Sequence, residues 1–415
     1  MLTHRNFCFG FLLAATLLVS AFNQVVHSQQ FSFNLVADTS TAAPGSGDSF
    51  SFNQGIAIDD GQVAFVGGTA AEGRSGVYLY DGGGVNVVAD VFGTGGTPML
   101  RNFRNNISLS GDEIAFFALD PGNSFPTTGR IYVQDVSPGG SLRTSVSTDT
   151  LVPGLVGGIS GVTDDFANIG SFAVSNGTVI FTGDNGFPPF PGGVYVEQNG
   201  VVSVVADSST PIPGGNSNFD SFTGVAIDSD NLLFSHITPS GVFSSNDGAI
   251  TELSASGGSF DVSGNNFAQT TQGGIVTSIN GIVSQPVTGS TLIPNRSVTF
   301  AGVDNVSLDG TNFAFTGLDS FTTARREGLY AQINGSLVTV IEEGDTLGGL
   351  IVSDINLGGF SDNQIAFGVS FTDGSEAIFT TTVSEPTSAV PEPTSGHILA
   401  AGSLLLVQRR RRKDN

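Results

Sequence analysis

Three residue types that carry much of protein chemistry are nearly missing from this 415-residue chain, which has one cysteine (Cys8), one lysine (Lys413) and four histidines. Cys8 and three of the histidines (His4, His27 and His397) lie in the two terminal segments described below, so residues 29–383 keep only His236. A domain without cysteine forms no internal disulfide, and its stability has to come from packing and hydrogen bonds. One histidine gives little support to a His-rich zinc site or to a Ser-His-Asp or Cys-His nucleophile. No Gly-x-Ser-x-Gly elbow leads into a helix, and no long helix is predicted at all.

Positive charge is equally scarce. Residues 29–389 hold eight arginines and no lysine against 35 carboxylates, a net charge of −27. Such a surface repels phosphate backbones and anionic lipid, which argues against nucleic-acid partners and suits solubility, cation binding or a secreted life.

Long apolar runs are missing as well; two short ones stand at the ends. Phe7 to Val19 is almost wholly apolar behind the basic start His4-Arg5, and Val26-His27-Ser28 offers the residues a signal peptidase reads. The expected cut falls between Ser28 and Gln29. The alternative is a leader kept as an anchor, although the run is shorter than the roughly 20 residues of a spanning helix. Ile398 to Val407 is also short, and Arg409, Arg410, Arg411 and Arg412 with Lys413 would hold the end on the cytoplasmic side.

Residues 390–415 combine Val390-Pro391-Glu392-Pro393-Thr394, an apolar stretch interrupted by Gly402 and Ser403, and the terminal arginines. In that order, behind an export leader, they resemble the PEP-CTERM sorting signal of bacterial surface proteins. The resemblance implies that a membrane-embedded exosortase recognises Pro391, Glu392 and Pro393 and removes the tail. Signal peptidase and exosortase are then the processing partners, and the membrane is met only through the C-terminal segment. The expected organisation is a signal peptide (1–28), a repeat domain (29–383), a Pro/Ser/Thr linker with the motif (384–395) and an apolar and basic tail (396–415).

The repeat domain carries one pattern many times. "GIAIDDGQVAFVGG" (55–68), "NISLSGDEIAFFAL" (106–119), "SFAVSNGTVIFTGD" (171–184), "GVAIDSDNLLFSHI" (224–237), "NVSLDGTNFAFTGL" (305–318) and "NLGGFSDNQIAFGV" (356–369) each alternate apolar residues around a polar turn. That is a hairpin signature with period two. A degenerate copy, "FDVSGNNFAQTT" (260–271), puts Gln269 where the others have phenylalanine. The anchors Phe65, Phe116, Phe181, Phe234, Gln269, Phe315 and Phe367 are spaced 51, 65, 53, 35, 46 and 52 residues apart. Second hairpins such as "GGVYVEQNGVVSVVAD" (192–207) raise each unit to four strands, the blade of a β-propeller.

The start of the domain, "FSFNLVADTSTAAPG" (31–45), matches the fourth strand and loop in "GVVSVVADSSTPIPGG" (200–215), whereas the seventh unit lacks a fourth strand after "AIFTTTV" (377–383). The prediction is an all-β, seven-bladed propeller with the N-terminal strand completing the last blade. A six-bladed ring or an open array of hairpins is the alternative. The pattern is also similar to tandem-repeat families with an x-Ala-Phe signature, which implies surface location and repeat architecture.

Carboxylates are dense at Asp59-Asp60, Asp164-Asp165, Asp228/Asp230 and Glu342-Glu343/Asp345. Asp at strand ends commonly caps its own turn, so most of these read as turn residues. Asp228 and Asp230 are weak calcium candidates, because oxygen-rich loops hold this cation, but no segment has EF-hand spacing. The Gly-rich stretches Gly82-Gly83-Gly84, Gly139-Gly140 and Gly214-Gly215 open no helix and read as turns. So do the sequon residues Asn106, Asn176, Asn295, Asn305 and Asn334.

No catalytic residue is assigned. Two functions remain: a non-enzymatic surface or matrix propeller binding a polysaccharide, a cation or a surface protein, and a secreted hydrolase using carboxylates. The second requires two carboxylates about 5–10 Å apart in one cleft.

Overall fold

Alternation with period two builds strands, and strands are all that form. A computed structural model describes residues 31–383 apart from 70–74, 95–96, 98, 121–127, 154–164, 187–191, 238–239, 247 and 323–324, with no α-helix among them. These residues belong to one compact unit, Phe31–Glu385. The leader with Ser28 and Gln29, Asp164, the sorting motif Pro391-Glu392-Pro393 and Arg409 to Arg412 lie outside the described residues.

Strand β1 (Phe33–Asp38) precedes the first blade. Blade 1 is β2 (Phe50–Asp59), β3 (Gln62–Thr69), β4 (Ser75–Tyr80) and β5 (Val85–Asp90). Blade 2 is β6 (Ile107–Ser110), β7 (Glu113–Leu119), β8 (Gly129–Asp135) and β9 (Leu142–Ser147). Blade 3 is β10 (Asn168–Ser175), β11 (Thr178–Asp184), β12 (Gly193–Gln198) and β13 (Val201–Ala206). Blade 4 is β14 (Phe222–Asp228), β15 (Asn231–His236), β16 (Gly241–Asn246) and β17 (Ala249–Ser254). Blade 5 is β18 (Phe260–Ser263), β19 (Asn266–Thr271), β20 (Gly274–Ile279) and β21 (Ile282–Thr288). Blade 6 is β22 (Gly302–Asp309), β23 (Asn312–Leu318), β24 (Glu327–Ile333) and β25 (Ser336–Glu342). The two-residue β26 (Thr346–Leu347) leads into blade 7, formed by β27 (Leu350–Ser361), β28 (Gln364–Phe371) and β29 (Glu376–Thr382).

Each blade is an antiparallel meander, and the fourth strand of blade 7 is β1, paired with β29 through Phe33↔Thr381, Leu35↔Phe379 and Ala37↔Ile378. The first strand of every blade lies against the first strand of the next, and β27 lies against β2. The ring is therefore a closed seven-bladed β-propeller. Blade 5, with Phe260↔Gln269 in register where blade 6 has Val306↔Phe315, is a true blade.

The two-residue turn between the first and second strands follows from its sequence. Asp60-Gly61 and Asn176-Gly177 take φ of 46° and 75°, and 49° and 77°, the doubly positive geometry that lets a two-residue hairpin match the strand twist. Of the sequon residues, Asn176, Asn295, Asn305 and Asn334 all have positive φ; Asn176, Asn295 and Asn334 sit in turns, whereas Asn305 corrects the turn reading, since it lies within β22 at the register shift between Asp304 and Val306. Short turns of this kind gather on one face of the ring. The longer loops, between second and third strands and between blades, gather on the other.

The loops entering blades repeat in detail. The Asp38 N–H donates to Thr41 Oγ1 at 3.0 Å and Thr41 N–H returns to the Asp38 carbonyl at 2.9 Å. Asp207 and Thr210 do the same at 3.0 and 3.0 Å. The likeness between residues 31–45 and 200–215 thus reflects one turn used twice, and it is what places β1 as an outer strand.

The core lies between neighbouring blades rather than in one centre: Ala64 and Val66 of blade 1, for example, pack with Leu109 and Phe116 of blade 2. Within a blade the anchor phenylalanine belongs to a set of three rings. Phe181 stacks on Tyr195 with centroids 5.5 Å apart, and Phe166 meets both edge-on at 5.3 and 4.9 Å. Phe50, Phe65 and Tyr78 repeat this in blade 1, and Phe219, Phe234 and Phe243 in blade 4. Such ring geometry adds to area burial by about 0.5–1.5 kcal/mol per pair. The third-strand ring leans back over the glycine two residues earlier; a Cβ at Gly328 would stand 2.5 Å from the Tyr330 hydroxyl oxygen. Hence the recurring Gly-x-Tyr/Phe.

Removing one anchor ring leaves a cavity with little room to collapse, so Phe181→Ala is expected to destabilise the chain by about 3–5 kcal/mol in urea unfolding. Phe321→Ala, at a residue 77% exposed, is expected to stay within about 0.5 kcal/mol of the parent.

Candidate functional site

The seven inner strands enclose a channel of about 320 Å³. One layer of its wall is set by the residue paired with the first residue of each Ala-Phe element: Ala57, Ser108, Ala173, Ala226, Asp261, Ser307 and Gly359. Six are small, and Asp261 of blade 5 is the charged exception. Asp261 Oδ2 accepts from Leu308 N–H and Ser307 Oγ, both at 2.9 Å, and Oδ1 accepts from Val262 N–H at 2.8 Å. The residue keeps some accessible surface toward the lumen but sits deep in the wall, and that burial, with a smaller push from Asp228, raises its carboxyl to about 6 despite the hydrogen bonds.

The rim on the turn face is tied together from blade to blade. Asp59 Oδ2 accepts from Gly111 N–H at 2.6 Å, and Glu113 Oε2 accepts from Gly177 N–H at 2.6 Å. Ser175 Oγ accepts from Ser229 N–H at 3.0 Å, and Asp228 Oδ2 from Gly264 N–H at 2.6 Å. Ser263 Oγ accepts from Gly310 N–H at 2.9 Å, and Asp309 Oδ2 from Asn363 N–H at 2.8 Å. Ser361 Oγ then donates to Asp59 Oδ1 at 2.6 Å, and the circle is complete. A side chain of each blade is thereby tied to the next at all seven junctions.

These bonds correct the reading of Asp59 and Asp228 as caps of their own turns; both cap the turn of the next blade. They also place the calcium candidates. Asp228 is engaged with Gly264, Asp230 is exposed, and neither belongs to a group of three close ligand atoms among the described residues.

The acids that do converge lie on the loop face, where blade 6 meets blade 7. The dense segment Glu342-Glu343/Asp345 divides there into two sets. Glu342 and Asp345 join Arg326 at 3.3 and 3.0 Å, and Arg296 reaches Asp319 at 2.5 Å and Glu342 at 3.5 Å. The Tyr330 hydroxyl donates to Glu342 at 2.8 Å, and burial together with that carboxylate raises the phenol far above its ordinary value. Glu343 turns the other way, toward Glu327 and Asp354. One carboxylate oxygen from each of the three lies within 4.8 Å of the others. Burial, then repulsion from Asp354 and Glu343, pushes Glu327 up to about 7. Three oxygens are half or less of the shell calcium takes, so a cation there would need carbonyls or water as well. Asp354 carried no sequence signal, because its closeness to Glu327 comes only from the packing of β27 on blade 6.

His236 is buried and lies edge-on to Phe219 at 5.1 Å, with Asp220 beside its Nε2 at 2.8 Å. It stands two residues after Phe234, where Gly67, Gly183 and Gly317 follow their own anchors. Its environment is that of a core residue. Gln269, which replaces the anchor ring in blade 5, is fully buried and donates its amide to the Ser256 carbonyl.

No family model matches the chain, and no curated protein matches it. Among solved structures, the chain is similar to the β-propeller domain of the Trilobed protease from Pyrococcus furiosus, at 11% identity and a TM-score of 0.47, over 80% of this chain and 94% of that one. It is also similar to the acylaminoacyl peptidase of Pyrococcus horikoshii, at 12% identity and a TM-score of 0.45, over 79% of this chain and 52% of that one. A puromycin-hydrolyzing peptidase of Mycobacterium tuberculosis shares 12% identity at a TM-score of 0.40, over 78% and 58%. The chain spans a little over half the length of these two peptidases. At such scores the likeness carries nothing about activity.

The Glu327 cluster has a definite pH signature. A carboxyl raised from 4.5 to about 7 in the folded chain contributes stability at low pH that is lost as pH rises between those values. Asp354→Asn removes the largest repulsion on it, and is expected to raise stability by a few tenths to about 1 kcal/mol at pH 8 and by less at pH 5. Thermal melts of the two proteins at both pH values check this.

Proposed function

We propose that this chain is an exported bacterial cell-surface or extracellular-matrix protein, sorted by an exosortase, whose propeller binds or supports and does not catalyse. The observation that carries the reading is the order of Pro391-Glu392-Pro393, an apolar stretch and Arg409 to Arg412 in residues 390–415, behind an apolar leader that ends in Val26-His27-Ser28. The non-catalytic half draws support from the acids. Those on the channel rim accept backbone or hydroxyl hydrogens from the neighbouring blade, and Asp261 is saturated in the same way. The ligand class that suits an acidic propeller is an extracellular polysaccharide, a surface protein or calcium.

One observation favours a second reading, a secreted carboxylate-dependent hydrolase. Glu327 holds its proton to about pH 7 beside two further carboxylates, the combination of acid and base a glycosidase uses. Glu327→Gln would then abolish sugar release from a polysaccharide substrate; under the first reading it changes no turnover.

The sorting address is tested by mass spectrometry of the protein recovered from cell surface and medium. The native chain is expected to lose its C-terminus near Pro391 to Thr394, and Glu392→Ala to remain membrane-bound at full length. A tail that persists in both overturns the address.

A further inference from the structure

Blade 5 is the uncharged sector of an acidic molecule. From Val262 to Val303 the only charged residue is Arg296, and Arg296 is held by Asp319 at 2.5 Å on the neighbouring blade. Asp261, the only acid in β18 to β21, faces the channel. The outer surface of this blade therefore shows no charge, while the chain as a whole carries a net −23.

Its outer strand is also the most apolar exposed edge. Ile282 and Val283 are 71% and 70% exposed, and Ser284 and Gln285 beside them are exposed too. On one side β21 pairs with β20 through Ile279↔Ile282 and Ser278↔Val283; on the other it ends the sheet. An exposed edge with unused N–H and C=O groups is a template for another strand, and proteins usually guard it with charge. Three other outer strands follow that rule with accessible charge, β1 with Asp38, β9 with Arg143 and β17 with Glu252, whereas Asp90 of β5 and Glu342 of β25 are buried, and those two edges expose the polar Asn86 and Ser336. Strand β13 has no charge of its own and exposes Val201 and Val204, at 64% and 37%, less than the pair on β21, and its blade carries the partly exposed Asp184. On β21 the only guard is Pro286, which offers no N–H and limits the usable edge to Ile282–Gln285.

We propose that the β21 edge is a self-association surface on which a second copy of this chain lays its own β21 antiparallel across a two-fold axis. The occupant follows from charge. Two copies of a strongly acidic molecule repel wherever acid meets acid, and blade 5 is where they can approach without that cost. A two-fold contact sets the same patch against itself, so Ile282 and Val283 of both copies are covered together and the two free edges complete one continuous sheet. Four residues a side is far below a standard interface, so the dimer is weak and depends on concentration. This inference is independent of the fate of the tail.

Sedimentation velocity on the full-length chain, over a concentration series at low and high salt, tests it. The dimer fraction is expected to rise with concentration, and to rise further with salt as repulsion between the acidic bodies is screened. Val283→Glu places a like charge twice in a two-fold contact and is expected to weaken dimerisation roughly tenfold or more, with an unchanged melting temperature because the side chain is exposed. Val201→Glu, on the corresponding edge of blade 3, is expected to leave the dimer as it was. A chain that stays monomeric throughout overturns the proposal. So does a dimer that Val283→Glu leaves intact, or one that Val201→Glu weakens as much.

Discussion

Seven blades close into a ring only if each can hold its neighbour, and here that task falls to one kind of bond: a side chain at the end of an inner hairpin accepts a backbone N–H from the next hairpin. The donors are turn amides that no strand partner satisfies, and five of the six acceptors are short Asp or Ser side chains, Glu113 being the longer one. The last junction uses a hydroxyl donor, Ser361, onto an aspartate already engaged by Gly111, so Asp59 bonds both neighbours. A carboxylate accepting an amide hydrogen makes a charge-assisted bond, stronger than a neutral one. Much of the acidity on the turn face has this architectural use.

That arrangement divides the molecule by face. The turn face is short, repetitive and committed to holding the ring together. The loop face carries the longer connections and the places where one blade differs from another: the ion pairs around Glu342, the Glu327 cluster and the exposed Phe321. Individual function in a repeat ring has to be written where the repeat is broken, and most of the breaks in this chain are there.

The architecture was legible in the sequence because its causes are local. Alternation, Asp/Asn-Gly turns and the Ala-Phe anchor each repeat with the blade, and the likeness of residues 31–45 to 200–215 was enough to place β1. Even blade 5 could be aligned through Asn266-Phe267-Ala268, although its anchor had become Gln269. What could not be read was the partner of each acid. Asp59 and Gly111 are 52 residues apart, and Glu327 and Asp354 come from different blades. Their contacts depend on how sheets rotate against one another, which no period in the sequence encodes. His236 shows the reverse case: a scarce residue drew attention by its chemistry and took a place in an aromatic core.

The pairing of β1 with β29 has a consequence for time as well as for space. Thr381 Oγ1 donates to the carbonyl of Ser32 across 349 positions of sequence, the longest-range hydrogen bond described in the molecule. Blades 1 to 6 are each contiguous and can assemble as the chain emerges, but blade 7 waits for the final strand to meet the first. Closing so large a loop costs entropy before its contacts repay it, so the last step of folding is expected to be the slow one. Until it is taken, the outer edge of β29 has no partner, so the seal of the ring is its most non-local contact and the one that both ends of the domain must be present to make.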